Sequence, residues 1–247
     1  MITKNTVKLI QSLKQQKYRN EHQLFVVEGR KMVDELLHSQ FETCHLFATE
    51  RFIEEHPIDN PRLELVTEVQ MEQMSGQTTP AGVLAAVRIP QRDLSVIRNP
   101  RKILALDGIA NPGNMGTIIR TSEWFGVSDI VCSQDCVEFW NPKVIQSTMG
   151  SIFRMNLIAI DLKAFLQEEK QKGKATYGAL LEGENLFTMS RWEDGVVVIG
   201  SESHGIRSEI LPLITHPITI PRAAGSVTES LNASMAAGII LSRWSEE

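Results

Sequence analysis

Pro217-Ile-Thr-Ile-Pro221-Arg-Ala-Ala-Gly-Ser-Val-Thr-Glu-Ser230-Leu231-Asn232-Ala-Ser-Met-Ala-Ala-Gly-Ile-Ile-Leu241 is the stretch that decides the fold. Residues 218–220 read as a short β-branched strand, stopped where Pro221 removes a backbone donor. A loop of small and polar residues follows. Ser230-Leu231-Asn232 then opens a helix, with Ser230 the predicted N-cap. That helix carries Ala233, Ser234, Ala236, Ala237 and Gly238, which predicts another backbone passing very close. An ordinary last strand and helix of an α/β domain would look similar. However, polar residues placed where a strand ends and a helix begins occupy the usual ligand position of an open α/β sheet.

The chain upstream has the same grammar. From residue 102, strands are predicted at 103–106, 129–132, 154–158, 176–179, 196–199 and 218–220, with helices at 115–125, 143–149, 162–172, 207–213 and 231–244. Short apolar strands alternating with helices predict a mostly parallel sheet covered on both faces. Ligands of such sheets bind beyond the carboxyl ends of the strands, so three loops matter most: 107–116, 200–205 and 221–232.

The first loop, Asp107-Gly-Ile-Ala-Asn-Pro-Gly-Asn114-Met-Gly-Thr-Ile-Ile-Arg120, has Gly108 and Gly113 at phosphate-loop spacing. Asn114 stands where that loop needs Lys, so the P-loop reading fails, and the dinucleotide spacing of glycines is absent too. What remains is an Asn at a helix entrance and an Arg six residues on, a candidate phosphate clamp. The second, Ile199-Gly200-Ser-Glu202-Ser-His-Gly205, approaches a nucleophile elbow. Position 201 is Ser rather than Gly, and the one later histidine, His216, is too near in sequence for a triad. Glu202 is the more informative residue: a carboxylate in a tight Gly-flanked turn needs donors.

The first ninety residues form a separate alternating unit. Strands are predicted at 24–29, 45–49, 63–67 and 82–87, and helices at 31–38, 51–56 and 68–75. Lys4, Lys8, Lys14, Lys17, Arg19, Arg30 and Lys31 outnumber Glu21 and Glu28 in the first 31 residues. Val7, Leu9, Ile10 and Leu13 have roughly helical spacing, which would group Lys4, Lys8 and Lys14 on one solvated face, either as a solubilising surface or as phosphate contacts. Residues 88–101, which hold Pro90 and Pro100 together with Arg88, Arg92, Arg98 and Arg101, read as a linker. A formal charge of −5 argues against indiscriminate coating of nucleic acid and leaves room for a local basic face. Cys44, Cys132 and Cys136 lack the partners of a zinc set and read as reduced thiols in a cytoplasm. No apolar run approaches the roughly 18 residues of a membrane helix.

Taken together, Asn-Pro-Gly-Asn114-Met-Gly-Thr-Ile-Ile-Arg120, Ile-Gly200-Ser-Glu202-Ser-His-Gly-Ile and Ile-Pro followed by Ser230-Leu-Asn232-Ala-Ser-Met-Ala-Ala resemble the three motifs of the SpoU, or TrmH, family of RNA ribose 2′-O-methyltransferases, part of the SPOUT superfamily. Lys-Tyr-Arg19, Phe25-Val-Val-Glu-Gly and Pro80-Ala-Gly-Val-Leu-Ala resemble the attached substrate-binding domain, similar to ribosomal protein L30e. The sequence departs from the family at Ser203, usually Gly, and in a loop about two residues longer before Ser230.

The resemblance implies an α/β fold: an L30e-like domain over 1–90, a linker over 91–101 and a methyltransferase domain over 102–247, with a parallel sheet and a deep C-terminal trefoil knot. It implies S-adenosylmethionine as cofactor, held around Gly200, Ile220, Ser230 and Leu231. Asn114, Arg120, Glu202, Ser230 and Asn232 are the implied catalytic group, with no metal. Lys4, Lys8, Lys14, Arg19 and Arg30 are the candidate RNA contacts. The implied partners are RNA, ribosomal before transfer RNA, and a second copy of the chain. Met235, Ile239 and Trp244 are either the apolar face for that copy or intramolecular core. Transfer RNA methylation, or non-catalytic RNA binding on the same fold, is the alternative.

Overall fold

The computed structural model describes residues 2–97, 101–189 and 192–245, and Arg98 of the arginine-rich segment lies outside them. The chain falls into two compact units, Met1–Gln91 with Glu138–Phe153, and Arg92–Val137 with Arg154–Glu247.

In the first unit α1 (Lys4–Ser12) and α2 (Gln16–His22) precede β1 (Leu24–Glu28), α3 (Arg30–Leu37), β2 (Thr43–Thr49), α4 (Glu50–Glu55), β3 (Leu63–Val66), α5 (Glu68–Met74) and β4 (Val83–Arg88). The sheet order is β1-β4-β2-β3, antiparallel except where β2 meets β3. Val7, Ile10 and Leu13 are buried in one cluster with Met71 and Met74 of α5, so the apolar spacing of the first helix is a core face. Lys4 and Lys8 are left exposed. Thr67 and Gln70 form a capping box that starts α5. In the same unit α7 (Pro142–Thr148) packs on β1, and Trp140 stacks on Phe25 with ring centroids 4.8 Å apart.

The second unit holds β5 (Lys102–Asp107), α6 (Pro112–Trp124), β6 (Asp129–Ser133), β7 (Asn156–Ile160), α8 (Leu162–Gln171), β8 (Ala175–Asn185), β9 (Gly195–Gly200), β10 (His216–Thr219) and α9 (Ala233–Trp244). Its sheet runs β10-β8-β9-β5-β6-β7, and every pairing is parallel. From β5 the chain moves outward through β6 and β7, then returns to build β8 and β9 on the other side. The strand order therefore reverses between β5 and β9, and the crevice for a ligand opens beyond Asp107 and Gly200.

Four expectations shift. The strand expected over 154–158 is β7, because pairing with β6 starts at Asn156 and Arg154 instead binds Glu123. β8 runs on past residue 179, since its far end pairs with β10 after a register shift between Pro217 and Ile218. The helix expected over 207–213 is a 3₁₀ turn at Leu211–Leu213: Arg207 is held elsewhere, and Pro212 lacks the N–H that an α-helix would use. The N-cap of α9 is Asn232, not Ser230; its Oδ1 accepts from the N–H groups of Ser234 and Met235 at 3.0 and 3.3 Å. Trp244 is fully buried and belongs to the core, whereas Met235 is 60% exposed. The small residues of α9 face α6, where a Cβ on Gly238 would lie 3.7 Å from the Thr121 methyl, an ordinary side-chain contact.

Candidate active site

Asn111 ends the loop after β5 and caps α6, accepting from the N–H groups of Gly113 and Asn114 at 2.8 and 3.1 Å. Pro112 fills the first helical position, where its missing donor costs nothing. Asn114 is thereby fixed in the first turn of α6, half-buried, with its side chain toward the sheet's carboxyl edge. There its Nδ2 donates to Glu202 Oε1, and its Oδ1 accepts from Asn232 Nδ2 at 3.0 Å. Ser234 Oγ donates to Asn232 Oδ1 at 2.6 Å and approaches Asn114 Oδ1 at 3.5 Å.

The polarity of this chain follows from its ends. Asn232 Oδ1 must accept, because it caps α9. Its amide nitrogen therefore turns to Asn114, whose oxygen faces it, and the Asn114 nitrogen turns to the Glu202 carboxylate. One amide in each of two helix starts and one carboxylate in a turn thus join all three loops. The positive ends of two helices favour that carboxylate.

The turn bearing Glu202 is fixed by its own backbone. Ser201 and Gly205 exchange N–H···O bonds at 3.2 and 2.8 Å. A Cβ on Gly200 would lie 2.0 Å from the Gly205 carbonyl carbon, so position 200 admits only glycine. Behind the turn, the Asp107 side chain is wholly buried and takes Arg207 through Nε at 2.6 Å, Nη2 at 2.5 Å and the backbone N–H at 2.8 Å. These bonds raise the Arg207 pKa, and Asp135 adds to them at 3.6 Å. The pair ties the end of β5 to the exit of the Glu202 turn. Gly108, at φ +69°, makes the bend that follows, and its N–H donates to Ser133 Oγ at 3.0 Å. Cys136 Sγ accepts from the N–H of Ile109 at 3.2 Å. A hydrogen bond from Cys132 is the main cause that lowers the Cys136 pKa to about 7.

The predicted residues separate. Asn114, Glu202 and Asn232 come together. Arg120 is exposed on α6, with no hydrogen bond or ion pair to that group among the described residues. Ser230 lies in the exposed stretch 221–232 and makes no cap. Sequence reasoning missed Ser234, Asp107 and Arg207; Asp107 ending an apolar strand was the signal for the last pair.

Of the basic residues, Arg19 is a correction. It is buried, ion-paired to Glu138 and donates to the Leu13 carbonyl at 2.6 Å, so it is no surface contact. Desolvation lowers its pKa. Lys14 lies past the end of α1 and donates to the Ser75 carbonyl at 2.5 Å. Arg30 is exposed, 3.8 Å from Asp34. Arg88 and Arg101 pair with Glu42 and Asp194, and Arg92 donates to the Met155 carbonyl.

The profile of the SpoU rRNA Methylase family matches residues 101–242. The chain belongs to that family. Residues 4–85 match the MRM3-like substrate binding domain. The 23S rRNA (guanosine(2553)-2′-O)-methyltransferase RlmP of Bacillus subtilis is 27% identical over 245 residues, covering 95% of this chain and 94% of that protein. The structure of a putative RNA methyltransferase of the TrmH family from Porphyromonas gingivalis has a TM-score of 0.88 and 32% identity, covering 99% of this chain and 98% of that one. An AdoMet-bound rRNA methyltransferase from Sinorhizobium meliloti has a TM-score of 0.85 and 25% identity, covering 99% and 95%.

The protein is accordingly an RNA methyltransferase using S-adenosylmethionine. Its residues fit that cofactor. A purine ring needs apolar cover, a chemistry that half-buried Ile220 and exposed Leu231 have beyond β10, and a sulfonium charge favours a carboxylate such as Glu202. Among the described residues no group of three or more His, Cys, Asp or Glu side chains could hold a metal, and no helix is long and apolar enough to cross a membrane.

Proposed function

We propose that the enzyme methylates a ribose 2′-hydroxyl of ribosomal RNA, with the hydrogen-bonded chain Glu202–Asn114–Asn232 as the observation that carries the reading. S-adenosylmethionine supplies an already activated methyl group, so the protein has to position a hydroxyl, exclude competing water and stabilise the charge that develops on oxygen. Asn114 and Asn232 hold the ribose, and Glu202 fixes Asn114. Gly200, Ile220, Ser230 and Leu231 line the cofactor's side of the crevice.

Arg120 stays protonated at neutral pH. We assign it to the phosphate beside the reacting ribose and to the developing alkoxide. Because Arg120 stands apart from the Asn114 group in its own chain, a homodimer in which the partner's Arg120 completes the site is part of the proposal. Exposed Met235 and Trp124 supply apolar area for that contact. A trefoil knot formed by the C-terminal segment belongs to the same reading. So does the division into an RNA-engaging domain over 1–90, a linker over 91–101 and a methyltransferase domain over 102–247. Exposed Lys4, Lys8 and Arg30 serve as outer phosphate contacts. Ribosomal RNA and a cytoplasmic setting follow the Bacillus relative, and three free cysteines accord with a reducing compartment.

The test is transfer of labelled methyl from S-adenosylmethionine to total RNA from a strain lacking the gene, separated into ribosomal and transfer fractions. Label in ribosomal RNA, at a linkage resistant to alkali, supports the proposal. Label in transfer RNA moves the substrate, and alkali-labile linkages at the labelled nucleotide contradict ribose methylation.

A further inference from the structure

A second site lies in the first unit. A cleft of about 430 Å³ is floored by Val26, Met32 and Ile145, all buried side chains. It is lined as well by Gln77, Thr78 and Thr79 of the loop after α5 and by Lys143 and Gln146 of α7.

The loop wall is held at its base. Lys14 donates to the Ser75 carbonyl at 2.5 Å, and Ser75 Oγ donates to Glu28 Oε2 at 2.6 Å. The Gly76 N–H donates to Glu28 Oε1 at 2.8 Å, and the Gln77 N–H to Ser75 Oγ at 3.0 Å. The Glu28 carboxylate also borders the cleft, but both its oxygens are engaged by these donors. Two charged residues are thus spent on fixing a loop whose tip, Thr78 and Thr79, stays exposed with Lys143 and Gln146.

We propose that this cleft takes one unstacked nucleotide of single-stranded RNA. The inference rests on the RNA-substrate reading above and goes beyond it by naming where a base is read away from the reacting ribose. The chemistry selects the ligand. An apolar floor accepts the flat face of a base. Two carboxamides and two hydroxyls in the lining both donate and accept, which matches the mixed edge of a nucleobase better than a simple anion or a hydrocarbon. Lys143 is the cation for the phosphate. The volume is in the range of a small-ligand site, about 300 to 1,000 Å³.

Three measurements on the full chain test it. Binding of a fluorescein-labelled single-stranded RNA carrying the methylated sequence is followed by anisotropy across a salt series. Lys143→Ala should weaken binding and reduce the salt slope by about 1, the contribution of a single phosphate contact. Gln77→Ala with Gln146→Ala should raise Kd about tenfold, within the range of a lost base-edge pairing, with the slope unchanged. These side chains are solvent-accessible, so melting temperature and S-adenosylmethionine affinity should stay at wild-type values. Photocrosslinking with 4-thiouridine RNA should label residues 76–79 or 143–146. Unchanged Kd and slope in both variants, or crosslinks confined to other segments, would overturn the cleft. If the wild type methylates RNA while the cleft variants keep its KM, the cleft inference alone fails. If the wild type methylates no RNA fraction, the reading beneath it fails.

Discussion

The turn after β9 and the loop after β10 leave the same edge of one parallel sheet and are built in opposite ways. The turn at residues 200–206 is closed by its own backbone, admits only glycine at 200, and is anchored through Arg207 to a buried carboxylate. The loop at residues 221–232 is exposed throughout, with Arg222 Nη1 donating to the Thr228 carbonyl at 2.8 Å and the Ser226 N–H to the Ala223 carbonyl at 3.1 Å. Asn114 links them, joining Glu202 to Asn232. The contrast teaches a division of labour. One side of the crevice is closed by its own hydrogen bonds, and the other is exposed and held by few, with Asn114 carrying the junction.

The preformed side breaks most severely at its anchor. Asp107→Ala removes the buried carboxylate and leaves Arg207, 37% exposed, with only the outer Asp135 and Glu209, so it should cost about 1–3 kcal/mol of stability, the range for buried donors left unpaired. Urea unfolding measures this, and a loss below 1 kcal/mol would mean that the turn holds itself without the pair. At the junction, Asn114→Ala should lower single-turnover methyl transfer by about 10² to 10³, comparable with loss of a preorganised polar group. Cofactor affinity by calorimetry should change little. Arg120→Ala should match that loss in transfer while also leaving the cofactor bound, and retained turnover would remove Arg120 from the site.

Smaller effects sharpen the contrast. Gly200→Ala forces the turn open and should destabilise by about 1–3 kcal/mol through overpacking; the same change at Gly225, where φ is +81° and nothing lies within 4 Å of a Cβ, should act on the backbone alone. On the open side, trypsin should cut after Arg222 in the free protein, and saturating S-adenosylmethionine should protect that bond. Equal cutting with and without cofactor would contradict an ordering loop. Smallest is a chemical reading of the loop behind the site. Alkylation of Cys136 should rise through a midpoint near pH 7, below an ordinary thiol, because Cys132 donates to its thiolate.

The parallel sheet and its three ligand-bearing loops were legible because the strands are short apolar runs and Gly, Asn or Ser residues follow three of them, two at helix starts and one in a tight turn. Asn114, Glu202 and Asn232 could be picked out one at a time, since each is a polar residue at a strand's carboxyl end. Their hydrogen-bonded order could not, because it depends on which cap fixes which amide. Ser230 looked like a cap by residue type, but Asn232 took the position with the geometry to accept two N–H groups. Arg19 looked like a surface cation in a basic stretch, yet its partner Glu138 is 119 positions away. The packing of residues 138–153 with the first unit was equally hidden, since nothing in their composition distinguishes them from the helices around them.

The most direct test asks whether the Asn114–Asn232 link acts as one unit. Single-turnover methyl transfer would be measured for Asn114→Ala, Asn232→Ala and the double variant, each with cofactor saturating. Groups acting together are non-additive, so the account predicts that the double variant is no slower than the slower single one. Losses that multiply would show two independent residues and contradict a site built on the joined chain.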